Sequence, residues 1–214
     1  LELRRSAPDA EPQESPQPKV VPIPQVISPG EVETRPLLPS FLYLPHASEL
    51  PPQALALPWP DHSTDFAVGE VARSLGVKSA LRLVSSAKSW LCNSAVDRRA
   101  PILPAAAGPD VPKLSPRDAS VRYLEHLRHA WDHAHPDAPL AEQVVTLAVP
   151  ASFDPAAREL TAEAARLSGL GHAVLLEEPQ AALYSWLSTT GEHFREQVKP
   201  GDMILVLDVG GGTA

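Results

Sequence analysis

The stretch MILVLDVGGGT, at positions 203–213, decides the fold class of this chain. Its apolar run is typical of a strand that is buried on both faces. An acid and three glycines follow, and a turn of residues without Cβ atoms can bring its backbone amides close to a bound anion. Open α/β sheets bind ligands at the carboxyl ends of their strands, so the stretch predicts a site for phosphate and a hydrated metal ion. Its candidate residues are Asp208, Gly210, Gly211, Gly212 and Thr213.

On the amino-terminal side of this turn, predicted strands alternate with predicted helices. Apolar runs predict strands at 143–149 and 172–176, and Asp154-Pro155 between them starts a helix over 155–169, because the acid caps and proline suits the first turn. This alternation predicts an α/β layer, but it fixes neither the order nor the direction of the strands. Further helices are predicted at 65–75, 85–92, from 115 to before 136, and 180–187, and short or edge strands at 19–27 and 37–44.

Composition excludes several classes of protein. The net charge of −8 argues against a general nucleic-acid surface, and no apolar run approaches the roughly 20 residues of a membrane span. The single cysteine, Cys92, excludes an internal disulfide and fits a reducing compartment, so a cytoplasmic location is expected. Of the 25 prolines, 14 lie in the first 60 residues, where helices are therefore not expected, and residues 1–19 are predicted to be a flexible loop or insertion.

The helix that starts at Ser115-Pro116 carries an apolar stripe and a histidine stripe. The histidines at i, i+3 and i+7 can share one face, which makes a zinc site conceivable, but no cysteine or paired carboxylate accompanies them. The plainer interpretation is a solvated polar face opposite the apolar stripe. The apolar stripe is Val121, Leu124, Leu127 and Trp131, and the histidines are His126, His129 and His133, with His135 just beyond.

Three motifs at predicted strand ends together resemble the nucleotide-binding domain of the Hsp70 chaperones. They are VPASF (149–153), EEPQAA (177–182) and DVGGGT (208–213), which are similar to the family's VPA-aromatic-F, NEP-T-A-A and DLGGGT. Shorter matches precede them: LPSF (38–41), VGEVA (68–72) and AKSWL (87–91). The resemblance covers roughly residues 20–214, and the ordered set is more specific than the glycine turn alone.

The resemblance implies an α/β fold of the actin-like ATPase (ribonuclease H-like) type, with lobe I truncated at both ends. The family's first phosphate loop would precede residue 1, and its second lobe and peptide-binding domain would follow residue 214. The chain is therefore expected to be a fragment, inactive alone, of a longer protein. The implied parts are subdomain IA (20–38 and 114–198), subdomain IB (39–113) and the first strand and phosphate turn of lobe II (199–214).

The resemblance also implies the chemistry of the site, which is hydrolysis of ATP with Mg²⁺. The parent would be a chaperone with client polypeptides, and possible co-chaperones, as partners, and with neither nucleic acid nor membrane. Each residue also has a plainer interpretation, as a surface lysine, a helix-start acid, a strand terminator or a solvent-facing arginine. The implied catalytic residues are Lys88, Glu178, Asp208 and Thr213. The resemblance implies that the phosphates bind to Gly210, Gly211, Gly212 and Thr213, and that Asp208 and Glu178 hold magnesium through water. It also implies that Pro150 and Arg158 act as a switch.

Departures from the family pattern leave alternatives open. Ser152 replaces an aromatic residue, Glu177 an asparagine and Gln180 a threonine. A filament-forming ATPase of the MreB/actin type also has the glycine turn, and its EEP-x-AA segment matches 177–182 better. Residues 87–91 and 149–153 fit Hsp70 better. A small-molecule kinase of the same fold would need a catalytic acid for a substrate hydroxyl, and the sequence offers no candidate outside the shared motifs.

Overall fold

A computed structural model describes residues 18–60 and 65–208 as a mixed α/β structure with three small sheets. No helix in this described part is both long enough and apolar enough to cross a membrane. In chain order the strands and α-helices are β1 (Ile23–Ser28), β2 (Glu31–Arg35), β3 (Leu42–Tyr43), β4 (Ala67–Val68), α1 (Glu70–Lys78), β5 (Leu83–Val84), α2 (Ala87–Cys92), α3 (Pro116–Ala134), β6 (Thr146–Val149), α4 (Pro155–Leu167), β7 (Val174–Glu177), α5 (Glu178–Thr190) and α6 (Phe194–Gln197).

The amino-terminal half is built from antiparallel pairs. Strands β1 and β2 form a hairpin whose turn contains Gly30 at φ +81°, a conformation that glycine adopts without steric cost. Strand β3 lies between β4 and β5, and both of its residues, Leu42 and Tyr43, are fully buried. Tyr43 packs with α1 in one apolar cluster, and Leu42 packs with the start of α2 and with α3 in a second.

Helix α3 begins where its sequence predicts. The Ser115 hydroxyl accepts a hydrogen bond from the backbone N–H of Asp118 (3.0 Å), and Pro116 occupies the first turn. The helix packs on β1 and α2 on one side and on α4 on the other. Val121 is buried as predicted, and so is His126, which belongs to the predicted histidine stripe. A helix with neighbours on two sides buries residues that a single apolar stripe does not identify.

The carboxyl-terminal half contains the parallel pair β6–β7, joined by α4. Strand register places Val149 opposite Glu177, so both strands end at the same edge of the sheet. Asp154 caps α4 by accepting from the N–H of Ala157 (2.7 Å), as the Asp-Pro start predicts. Beneath the pair lies an apolar cluster that α2, β6 and α4 share, formed by Leu91, Val149, Phe153, Ala157 and Leu160.

Two sequence predictions about strands are wrong. The stretch 203–207 was predicted to be the third strand, which would also open the segment 199–214. It forms no strand among the described residues. A strand needs a partner for its backbone groups, and here Met203, Leu205 and Leu207 stay largely exposed. Conversely β2 was not predicted, because its sequence EVETR is mostly charged and exposed and has no apolar face.

The prediction for the first helix is wrong at both ends. Helix α1 starts at Glu70, after strand β4, and it continues through Gly76 to Lys78 instead of ending at the glycine. A Cβ at Gly76 would lie 2.4 Å from Cδ2 of Leu83. The glycine therefore permits close packing between the helix and β5 and does not act as a C-cap. Predicted bounds of α2, β6, α4, β7 and α5 differ from the observed ones by up to three residues.

Two leucines of α4 test whether the cluster beneath β6 stabilises the fold. Leu160 is buried, whereas Leu167 is 52% exposed on the same helix. Leu160→Ala should lower the free energy of unfolding by about 2–5 kcal/mol, because it removes buried methyl groups and leaves a cavity. Leu167→Ala is the matched control and should cost less than about 0.5 kcal/mol. Urea denaturation of the chain measures both, and equal losses would contradict this account of the core.

Candidate functional site

An ion pair between Lys88 and Glu178 lies at the carboxyl edge of the β6–β7 sheet. The Lys88 Nζ donates to Oε1 of Glu178 at 2.5 Å, across 90 residues of sequence. Lys88 lies in the first turn of α2, and Glu178 is the first residue of α5, directly after β7. The structure therefore brings together two of the residues that the family resemblance selected. The lysine side chain is 46% exposed and the glutamate 21%, so solvent reaches the pair.

A small cleft beside this pair contains two further predicted residues. Pro150 and Asp208 line it together with Glu178. Pro150 is buried at the end of β6, and Asp208 is exposed. Asp208 reaches the cleft because the extended stretch before it runs along α5. Ile204 of this stretch lines a groove together with Ala182 and Trp186 of the helix. Four predicted site residues from separate segments thus converge on one place.

Arg158 forms an ion pair with Glu177, not with Glu178. The two glutamates are adjacent in sequence, and each has its own cation from a different helix, Arg158 from α4 and Lys88 from α2. Sequence analysis noted Glu177 only as a departure from the family asparagine. The sequence did contain a signal for this arrangement: two adjacent acids, Glu177 and Glu178, at a predicted strand end, and two candidate cations, Lys88 and Arg158, in other motifs.

The glycine turn, which comprises Gly210, Gly211, Gly212 and Thr213, lies outside the described residues. No group of three or more metal-binding side chains occurs within 18–60 and 65–208. Magnesium needs fewer protein ligands, because it keeps several of its waters and is usually held by one or two carboxylates and substrate phosphates. The Glu178 and Asp208 carboxylates, which line the same cleft, fit a hydrated magnesium ion in number and chemistry.

A second ion pair, which was not predicted from the sequence, joins the loop after α2 to the start of α4. The Arg98 guanidinium donates to both carboxylate oxygens of Asp154, at 2.8 and 2.7 Å. These bonds, and then the backbone N–H of Ala157, lower the pKa of the Asp154 carboxyl to about 2. Nearby, Arg99 and Arg117 both pair with Glu163, farther along α4. Only a capping role was predicted for Asp154, because nothing local links it to an arginine 56 residues away.

His133 and His135 of the α3 histidine stripe are exposed, but the interpretation as a solvated face is wrong for His126. This residue is buried, and it donates from Nε2 to the carbonyl of Pro24 at 2.9 Å. The Trp59 ring lies 5.2–6.2 Å from the rings of His126, His129 and His133. Burial, and secondly the charge of Arg128, lower the pKa of His129. The stripe therefore packs under the loop that carries Trp59.

The Arg98–Asp154 pair predicts a pH-dependent contribution to stability. Because the pKa of Asp154 is lowered in the folded state, its contribution is present above about pH 4 and is lost as the pH falls toward 2. Asp154→Asn keeps a good N-cap but removes the charge that Arg98 needs. The variant should be less stable than wild type at pH 7, and the difference should shrink toward pH 2. Urea midpoints of the chain across this range measure it.

A control for this prediction is Asp137→Asn, an exposed acid in the turn after α3. It should change stability by less than about 0.5 kcal/mol at pH 7. If Asp154→Asn differed from wild type equally at pH 7 and pH 2.5, the charge would not be what stabilises the pair.

Comparisons with known proteins agree with this geometry. A family model described as Hsp70 protein matches residues 65–214. The chaperone protein HscA of Salmonella paratyphi C (strain RKS4594) is 33% identical over 155 residues, which are 68% of this chain and 24% of that protein. The HscA proteins of Salmonella paratyphi B and Salmonella newport are each 32% identical over 155 residues. The chain thus spans about a quarter of the length of these relatives. An Hsp70 match implies an actin-like ATPase fold.

Proposed function

The chain belongs to the Hsp70 family, and from that premise we propose that it is part of the ATPase domain of a molecular chaperone. The whole protein would bind and hydrolyse ATP and would use this cycle to change its affinity for client polypeptides. Co-chaperones would be possible further partners. The observation that carries this proposal is the meeting of Lys88, Pro150, Glu178 and Asp208 at one sheet edge. Nothing in the comparisons favours the filament-forming alternative.

Hydrolysis would proceed by in-line attack of water on the γ-phosphate. The chain's own part is electrostatic, because a phosphoryl transition state is stabilised by positioned charge more than by covalent chemistry. Lys88 would leave Glu178 and place its ammonium against the γ-phosphate oxygens. Glu178 and Asp208 would hold a hydrated Mg²⁺, which neutralises phosphate charge when bound. Gly210, Gly211, Gly212 and Thr213 would supply backbone N–H groups and a hydroxyl to the phosphates.

The segments of the chain take their places in this scheme as parts of one lobe. Residues 20–38 and 114–198 would form subdomain IA, and 39–113 would form subdomain IB. Residues 199–214 would begin lobe II. The sheets support this division, since the sheet β4-β3-β5 lies within 39–113 and the parallel pair β6–β7 lies within 114–198.

Pro150, Arg158 and Glu178 would act as a switch that reports the nucleotide state. Support comes from two neighbouring ion pairs: Arg158 pairs with Glu177, and Lys88 pairs with the adjacent Glu178. When Lys88 turns to a γ-phosphate, Glu178 loses its cation. The start of α5 then adjusts, and Glu177 transmits that change to α4 through Arg158.

Replacing Lys88 tests its catalytic role. In the full-length protein, Lys88→Ala should lower the single-turnover rate of ATP hydrolysis by about 10²–10³, because it removes a charge aimed at the transferring phosphoryl group. The dissociation constant of ATP should change only a few-fold, since the lysine acts mainly in the transition state. Lys78→Ala, at the exposed end of α1, is the control. A Lys88→Ala rate within a few-fold of wild type would refute the assignment.

Replacing Arg158 tests the switch. Arg158→Ala should leave basal hydrolysis nearly unchanged but remove about 1–3 kcal/mol of coupling between ATP and release of bound peptide. The measurement is the peptide dissociation rate with and without ATP. Arg166→Ala, an exposed arginine in the last turn of the same helix, should behave as wild type. If ATP accelerates release equally in the Arg158 variant, the switch proposal fails, and absence of peptide binding in wild type would contradict the chaperone function.

A further inference from the structure

Arg98 connects the end of the lysine-bearing helix to the start of the switch helix. Its Nε donates to the carbonyl of Asn93, the C-cap residue of α2, at 3.1 Å. Its two terminal nitrogens donate to the carboxylate of Asp154, the N-cap of α4. The arginine is only 9% exposed, so its guanidinium is largely shielded from water, whereas the Asp154 side chain is 43% exposed. One side chain therefore fixes the distance between two helix ends.

Helix α2 depends on such external support. It is six residues long, and a helix of that length does not persist in water by itself. Its N-cap residue, Ser86, has a left-handed conformation (φ 56°) and makes no side-chain capping bond. What holds the helix is its packing on α3, the burial of Ala87 and Leu91 in two apolar clusters, and the bond from Arg98 near its C-terminal end.

The position of Lys88 follows from the position of α2. Its side chain is 46% exposed, so few contacts restrict it beyond the backbone that carries it. A shift of α2 relative to α4 and β6 would move the ammonium away from the sheet edge where Glu178 and Pro150 lie. A misplacement of 1 Å at a reacting group can cost about 10²-fold in rate.

We propose that Arg98 is a positioning residue that sets the place of Lys88 through its bonds to Asn93 and Asp154. The proposal rests on the proposed ATPase function. It adds a residue outside the matched motifs, and it makes α2 and α4 move as one unit, so that Lys88 and Arg158 stay at a fixed separation through the cycle.

The test is single-turnover ATP hydrolysis by the full-length protein in four forms: wild type, Arg98→Met, Lys88→Ala and the double variant. Arg98→Met should lower the rate about 10-fold, within the range that misplacement allows. In the Lys88→Ala background the same change should have no further effect, because the group that Arg98 positions is gone. A general structural defect would instead lower the rate in both backgrounds. The dissociation constant of ATP should stay within about twofold.

Two further variants separate the bond from the fold. Asp154→Asn keeps the N-cap of α4 but breaks the ion pair, and it should reproduce the rate of Arg98→Met, with no added loss when the two are combined. Arg122→Met is the matched control, because Arg122 pairs with Glu125 within α3 and stacks on Phe66, and among the described residues it links α3 to neither α2 nor α4. It should retain the wild-type rate.

The outcomes distinguish this inference from the proposed function. If wild type hydrolyses ATP, Lys88→Ala lowers the rate by about 10²–10³ and Arg98→Met has the wild-type rate, then only the positioning role is overturned. The same follows if Arg98→Met lowers the rate equally with and without Lys88. If the wild-type protein hydrolyses no ATP, the proposed function fails, and the positioning role falls with it.

Discussion

The parallel pairing of β6 with β7 is the constraint on which the site depends. Parallel strands require a crossover, here α4, and their carboxyl ends must then meet at one edge. Register places Val149 opposite Glu177, which brings Pro150 beside the first residue of α5. A slip of one residue would turn every side chain to the opposite face of the sheet. The buried Val149 fixes this register, because it packs into the cluster that α2 and α4 complete.

The elements that local chemistry specifies could be predicted from the sequence. Helices α3 and α4 begin as predicted, because Ser115-Pro116 and Asp154-Pro155 satisfy backbone N–H groups within their own first turns. The stretch 203–207 was not predictable in this way. Its apolar run matches a strand, but a strand also needs a neighbour, and within the described residues it has none. The function of Gly76 likewise depends on Leu83, a contact that no local pattern reveals.

The candidate site shows the same division. Lys88, Pro150 and Glu178 were selected from motifs in separate segments, and they lie at one sheet edge. Their ionic partners were only partly predictable. Glu177 was seen as a mismatch and is the partner of Arg158, and the link between Arg98 and α4 was not foreseen. Motifs identify groups that do chemistry, whereas the ion pairs that hold those groups arise from the folded arrangement of α2, α4 and β7.

The ion pair of Lys88, in α2, and that of Arg98, in the loop after α2, differ in a way that suits different tasks. Lys88 and Glu178 form a single solvent-reached contact, and such pairs contribute about 0–1 kcal/mol. Under the proposed function, an arriving phosphate would therefore displace the glutamate at little cost. Arg98 is nearly buried and uses both terminal nitrogens on one carboxylate, so losing its partner would leave a shielded charge unpaired. A helix that is fixed at one end and has a releasable cation at the other can respond to a ligand without losing its place.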